Sequence, residues 1–183
     1  MPQQQLAKFQ RTVRLTNSKS PRSAWEVAVD CLSRRALTHY ELETRLEKKG
    51  FESADIDRVL IKLEEFGYLD DQELALIYSK SRLKRYSRRR VLQDLKNRGI
   101  APQLIEQALG ETYSSDEEFQ QCLSLAKQWW GQESKRWEQR TTEKARSVPR
   151  ELWLQQKVVR RLTQRGYPSD MVRSVLYEIR AEF

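Results

Sequence analysis

The stretch Leu46-Glu47-Lys48-Lys49-Gly50-Phe51 recurs along this chain as Leu95-Lys96-Asn97-Arg98-Gly99-Ile100 and again as Leu162-Thr163-Gln164-Arg165-Gly166-Tyr167. The agreement extends in both directions from each glycine. Leu42, Val91 and Val158 stand at the same distance upstream; downstream come Ile56, Val59 and Leu60, then Ile105, Ala108 and Leu109, then Val172, Val175 and Leu176. Self-similarity of this kind marks a tandem architecture. Apolar residues four apart stack on one helix face, and glycine takes the left-handed position just past a helix end. Each copy therefore reads as helix, glycine corner, helix, with Gly50, Gly99 and Gly166 at the corners. Phe51, Ile100 or Tyr167 is placed to fold back onto the helix that has just ended. The helices that follow begin near Ser53, Pro102 and Ser169, residue types favoured at caps and first turns.

A further helical segment precedes each pair, over residues 23–35, 70–85 and 115–130, which makes three helices per copy. Thr38-x-x-Glu41, Asp70-x-x-Glu73 and Ser115-x-x-Glu118 have the form of capping boxes. Pro149 is placed to open the long helix of the third copy. The third corner comes late, so this copy carries an insertion, the polar segment Gly131–Pro149. No strand-type alternation occurs. The reading is an all-α chain of tandem three-helix repeats: residues 23–67, 68–111 and 112–183, preceded by an arm, 1–22.

Composition agrees. Hydrophobic residues make up 38% of the chain and charged ones 33%, so apolar positions are spent a few per helix rather than on one thick core. Six glycines and five prolines in 183 residues suit helices with short connections. The arm carries Lys8, Arg11, Arg14, Lys19 and Arg22 and no acid. It reads as a disordered basic tail, a targeting segment being the alternative. No apolar run reaches the roughly 18 residues of a membrane span, so a soluble protein is expected.

The residues of a catalytic site are not evident. Cys31 and Cys122 lack metal-type spacing and read as reduced core thiols. The one histidine, His39, sits in a capping box, as an exposed first-turn residue rather than an acid–base group. Glu64, Glu65, Asp70, Asp71 and Glu73 bracket a corner, where caps and solvation account for them better than a metal. No phosphate-cradling glycine loop occurs. No enzyme activity, metal or cofactor is expected.

Charge is the informative signal. The net +8 predicts attraction to polyanions or acidic surfaces. Acids dominate from Glu52 to Glu73, whereas Lys80, Arg82, Lys84, Arg85, Arg88, Arg89, Arg90, Lys96 and Arg98 follow against a single acid, Asp94. Arg89, Gln93 and Lys96 fall off the face of Val91, Leu92 and Leu95 and form a basic stripe; Lys157, Arg161 and Gln164, with Arg160, form a similar one beside Leu154, Val158 and Leu162. Crowded cations repel unless a polyanion is present. Trp25, Trp129 and Trp153 sit at core spacings, and Trp137, in the polar insertion, is the one exposed aromatic contact expected.

With the repeat in hand, the junction Gly67-Tyr68-Leu69-Asp70-Asp71 ahead of Ala75, Tyr78 and Arg82, together with Leu95–Ile100, makes the sequence similar to the RecX family of recombinase regulators. The resemblance runs from about Ala24 to Phe183. It implies an elongated, curved rod lying in the groove of the RecA–DNA filament. There it would bridge protomers and restrain the RecA ATPase and strand exchange in recombination, repair and the SOS response. It implies a cytoplasmic monomer that is no enzyme, with weak, non-specific binding to single- or double-stranded DNA. Arg82, Lys84, Arg85, Arg88, Arg89, Arg90, Lys96, Arg98, Lys157, Arg160 and Arg161 are the candidate contacts to filament or DNA. The alternative is an autonomous, helix-turn-helix-like DNA-binding protein. Ser53-Ala54-Asp55 and Ser169-Asp170-Met171 argue against it, because a recognition helix needs Asn, Gln or Arg at its start.

Overall fold

The computed structural model describes residues 22–112, 114–139 and 148–182. These residues form helices and no strand: α1 (Ala24–Arg34), α2 (His39–Glu47), α3 (Ser53–Glu65), α4 (Asp71–Leu83), α5 (Arg88–Asn97), α6 (Pro102–Thr112), α7 (Ser115–Glu138), α8 (Arg150–Gln164) and α9 (Ser169–Glu182). The fold is all-α and built from three-helix repeats. The expectation of a tail over residues 1–22 falls, apart from exposed Arg22, outside the described residues. No described helix is long and apolar enough to cross a membrane.

Start signals are local. Thr38 and Glu41 form a reciprocal capping box at α2, and Ser23 with Glu26 forms another at α1 that the sequence reading passed over. Asp70 caps α4, accepting from the Glu73 N–H at 2.8 Å. The box expected at Ser115 and Glu118 is corrected by one residue. Ser114, in extended backbone at φ −89° and ψ 155°, pairs instead with Glu117. Serine and glutamate are both doubled here, so the sequence allowed two registers, and Ser115 is already inside the helix.

Stop signals are glycines. Gly50, Gly67, Gly99 and Gly166 have φ of 83°, 68°, 78° and 87°, and no other described residue has a positive φ. After all four corners the chain turns back in the same way: the N–H of Phe51, Tyr68, Ile100 and Tyr167 donates to the carbonyl of Leu46, Leu63, Leu95 and Leu162. That is the bond a left-handed cap exists to make.

The chain divides into two compact units, and the second repeat is shared between them: residues up to Ile77 with Leu95–Ile105 form one, and Tyr78–Asp94 with Glu106 onward form the other. In the first, Leu37, Leu42, Leu46, Ile56, Leu60 and Leu63 build the core around Ala28, with Trp25 partly buried at its margin. In the second, α7, α8 and α9 enclose Cys122, Trp129, Trp130, Leu154, Val158, Val175 and Ile179. Helix α7 continues through Glu138 and so takes up the first part of the insertion; of the remainder, residues 140–147 lie outside the described residues. Trp137 is not an exposed contact. It lies half-buried, its ring 5.5 Å from that of Trp153, because extending the helix carries it alongside α8.

Candidate polyanion interface

Each unit contains one joint between successive repeats, and the two joints share a design. In the first, the N-cap Thr38 accepts from the Glu41 N–H and donates its own proton to the carbonyl of Arg98 at 2.6 Å. The Arg98 guanidinium pairs with Glu41 at 2.9 Å and reaches the carbonyl of Ala36. In the second, the N-cap Ser87 accepts from the Arg90 N–H, while its own N–H donates to the carbonyl of Arg165. The Arg165 guanidinium reaches the carbonyl of Arg85 at 3.0 Å and lies over the rings of Tyr86 and Trp129. An Arg–Gly corner of one repeat thus seats on the second-helix N-terminus of the repeat before it. The glycine must be small as well as left-handed: a Cβ at Gly99 would run into Tyr40, and one at Gly166 would lie 2.6 Å from Ser87 Oγ. A Cβ at Gly50, the corner of the first repeat, would meet nothing within 4 Å.

The Gly67–Asp71 junction has an equally local account. Gly67 turns the chain, Leu69 enters the core, and Asp70 caps α4. Asp71 turns back to accept from the His39 N–H at 3.0 Å, at the start of α2. Burial pushes the Asp71 carboxyl above its ordinary value, with the His39 N–H opposing. Burial would also raise Glu41, but the bonds from Arg98 and Thr38, with Arg35 nearby, hold it below the ordinary value.

These joints sort the candidate cations. Arg98, placed among the binding residues, has a side chain only 17% exposed and belongs to the first joint. Arg82 lies over the rings of Tyr78 and Tyr86. The Arg88 guanidinium meets Glu106, and its N–H donates to Glu118 at 2.7 Å. Arg90 pairs with Asp94 one turn on. Arg89 and Lys96 are exposed on α5 with Gln93, and no ion pair within the described residues engages either cation. Lys84 and Arg85 are exposed as well, their carbonyls held by Gln121 and Arg165.

In the second unit α8 carries Lys157, Arg160 and Arg161, but only Lys157 and Arg160 are exposed. Arg161 turns to Glu133, which is 2% exposed and also receives Arg136. Neither Glu133, Arg136 nor Arg165 stood out in the sequence. The signals were present: Arg165 precedes its corner glycine as Arg98 does, and Glu133 lies one turn beyond Trp129 and Trp130, on their buried face. Among the described residues no group of three His, Cys, Asp or Glu side chains is arranged to hold a metal.

Capped three-helix repeats, locked by Arg–Gly corners and presenting exposed cations on α5, define an all-helical repeat protein with a basic face. The first three-helix domain of RecX matches residues 24–63, and the second matches residues 70–109. Both three-helix domains of RecX are thus matched, in order, within this chain. The chain is 27% identical to the regulatory protein RecX of Listeria monocytogenes over 161 residues, 85% of this chain and 53% of that protein. It is 38% identical to that of Vibrio parahaemolyticus over 94 residues, 49% of this chain and 58% of that protein. The chain thus spans about half the length of the curated relatives it matches. The crystal structure of RecX from Lactobacillus salivarius superposes with a TM-score of 0.65 at 18% identity, covering 86% of this chain and 95% of that one. A second crystal structure of regulatory protein RecX gives 0.61 at 19% identity, with 96% and 78% covered. At these identities the structural likeness speaks for the fold.

Proposed function

We propose that this chain is a non-enzymatic regulator that binds the RecA–DNA filament along its groove and restrains the RecA ATPase and strand exchange. The observation that carries the reading is the exposed pair Arg89 and Lys96 on α5, inside the segment that matches the second three-helix domain of RecX. Cations held apart from acidic partners are available to an external polyanion or acidic surface. The repeat design also suits an extended contact with successive protomers of a polymer, because each repeat offers a similar face. The chain acts as a cytoplasmic monomer whose hold on bare DNA is weak, non-specific and salt-dependent.

The test is the single-stranded-DNA-dependent ATPase of RecA, followed with and without this protein, beside its binding to bare DNA over a range of salt. Restraint of the ATPase at concentrations where bare-DNA binding is slight supports the filament reading. Restraint that tracks the occupancy of bare DNA, or a sharp consensus in a sequence selection, supports an autonomous DNA-binding protein instead.

A further inference from the structure

The second unit holds a groove of about 390 Å³ between α7 and α8, lined by Arg136, Trp153, Lys157, Arg160 and Arg161 around Glu133. Its volume falls in the range of small-ligand sites. Lys157, Arg160 and Arg161 lie along one flank of α8, beside the buried Leu154, Val158 and Leu162. Lys157 and Arg161 stand one turn apart, where like charges repel unless an acid lies between them.

Glu133 gives the groove its order. One of its oxygens accepts from Arg136 at 2.6 Å and from Arg161 at 2.7 Å, with the carboxylate 2% exposed. A buried carboxylate clamping two guanidiniums fixes their planes, and each guanidinium has five N–H donors, of which that bond uses one. Four cations share this single acid. The aromatic wall is already engaged: the Lys157 ammonium lies 5.3 Å from the centre of the Trp153 ring, and Trp137 packs against the same ring. The groove offers no open platform for stacking a base.

We propose that this α7–α8 groove is a site for a compact phosphate-bearing anion, gripped by Arg160, Lys157 and the guanidinium pair ordered by Glu133. Phosphate fits better than a lone carboxylate, since it brings more oxygens and more charge to fixed arginine forks. A nucleic-acid terminal phosphate, a backbone diester and free pyrophosphate all present this chemistry. The site goes beyond the RecA reading and needs no RecA to be tested.

The full chain is titrated calorimetrically at low salt with inorganic pyrophosphate, and then with one oligothymidylate bearing or lacking a 5′-phosphate. Saturable pyrophosphate binding is expected, weakened about tenfold or more by Lys157→Ala with Arg160→Ala, as the loss of charged hydrogen bonds implies. Arg173→Ala, an exposed change on α9, should leave it as it is, and circular dichroism should be the same for all three proteins. A variant-sensitive advantage for the phosphorylated strand assigns the site to chain ends; equal sensitivity for both strands assigns it to the backbone diester; sensitivity for pyrophosphate alone assigns it to the free anion. Pyrophosphate that fails to saturate, or that binds the double variant as tightly as wild type, overturns the proposal.

Discussion

Thr38 donates its hydroxyl proton to the main-chain carbonyl of Arg98, 60 residues further along the chain. The same hydroxyl oxygen caps α2, so one side chain both begins a helix and receives the corner of the next repeat. Ser87 stands to Arg165 in a related way, through its N–H rather than its hydroxyl. Repeats of this kind are joined through backbone groups that helix termini leave unpaired.

The corner glycines should therefore fall into two classes. Gly50→Ala meets no neighbour and costs only the left-handed penalty, roughly 1–2 kcal/mol. Gly99→Ala and Gly166→Ala carry the same penalty plus the displacement of Tyr40 or of Ser87 and Arg90, which overpacking data put at roughly 1–3 kcal/mol more. Urea denaturation of the three variants measures this directly. Equal losses at all three sites would mean the corners do not seat as described.

The first joint should also set part of the acid sensitivity. Glu41 has a folded pKa below its ordinary value of 4.5, so it contributes stability above that value and loses it as pH falls through the lower, folded one. Asp71 has the opposite sign: its folded value is raised, so ionising it costs stability and that cost is relieved on acidification. Arg98→Met leaves Glu41 without its main partner at a largely buried position and should cost roughly 1.5–3 kcal/mol at neutral pH. The deficit should shrink below about pH 4.5 as Glu41 protonates in both states. A deficit constant with pH would assign the effect of Arg98 to packing.

How far the sequence could be read depended on whether a signal was local. The corners, the caps at Thr38 and Asp70 and the apolar positions were legible because each depends on residues within a few positions, and three copies repeat the message. The cations were harder, because density reveals charge but not partners. Lys96 and Arg98 stand two apart, yet the fold leaves one exposed and brings the other to Glu41, 57 residues away. Trp137 was misread for a related reason: polar neighbours suggested a loop, whereas the helix runs on and lays the ring against Trp153.

Cys122 offers a probe of the second unit. It is fully buried, and burial, with Glu118 nearby, pushes its thiol up to about 12. The thiolate is the reacting species, so Cys122 should resist thiol reagents while the unit is folded. Cys31 is partly accessible on the first unit and should be modified first. Timed labelling with mass spectrometry should give a singly modified protein carrying its label on Cys31, with Cys122 following at a rate that rises with urea. Prompt modification of Cys122 in native buffer would contradict the α7–α9 packing.

The last expectation concerns α5 and tests the functional reading through charge alone. Arg89→Glu with Lys96→Glu reverses the two exposed cations while Val91 and Leu95 remain buried. Arg90 is left in place because its reversal would set an acid one turn from Asp94, its present partner, and confuse a binding effect with helix destabilisation. Glutamate is a good helix former, so helical circular dichroism should hold and stability should change by no more than about 0.5 kcal/mol. Restraint of the RecA ATPase should weaken markedly, since attraction to a phosphate or acidic surface becomes repulsion. Salt screens that repulsion as it screens the original attraction, so the gap between variant and wild type should be widest at low ionic strength and narrow as salt rises. A double variant that restrains RecA as well as wild type at every salt concentration would reduce the α5 stripe to a solvated face and move the filament contact elsewhere on the chain.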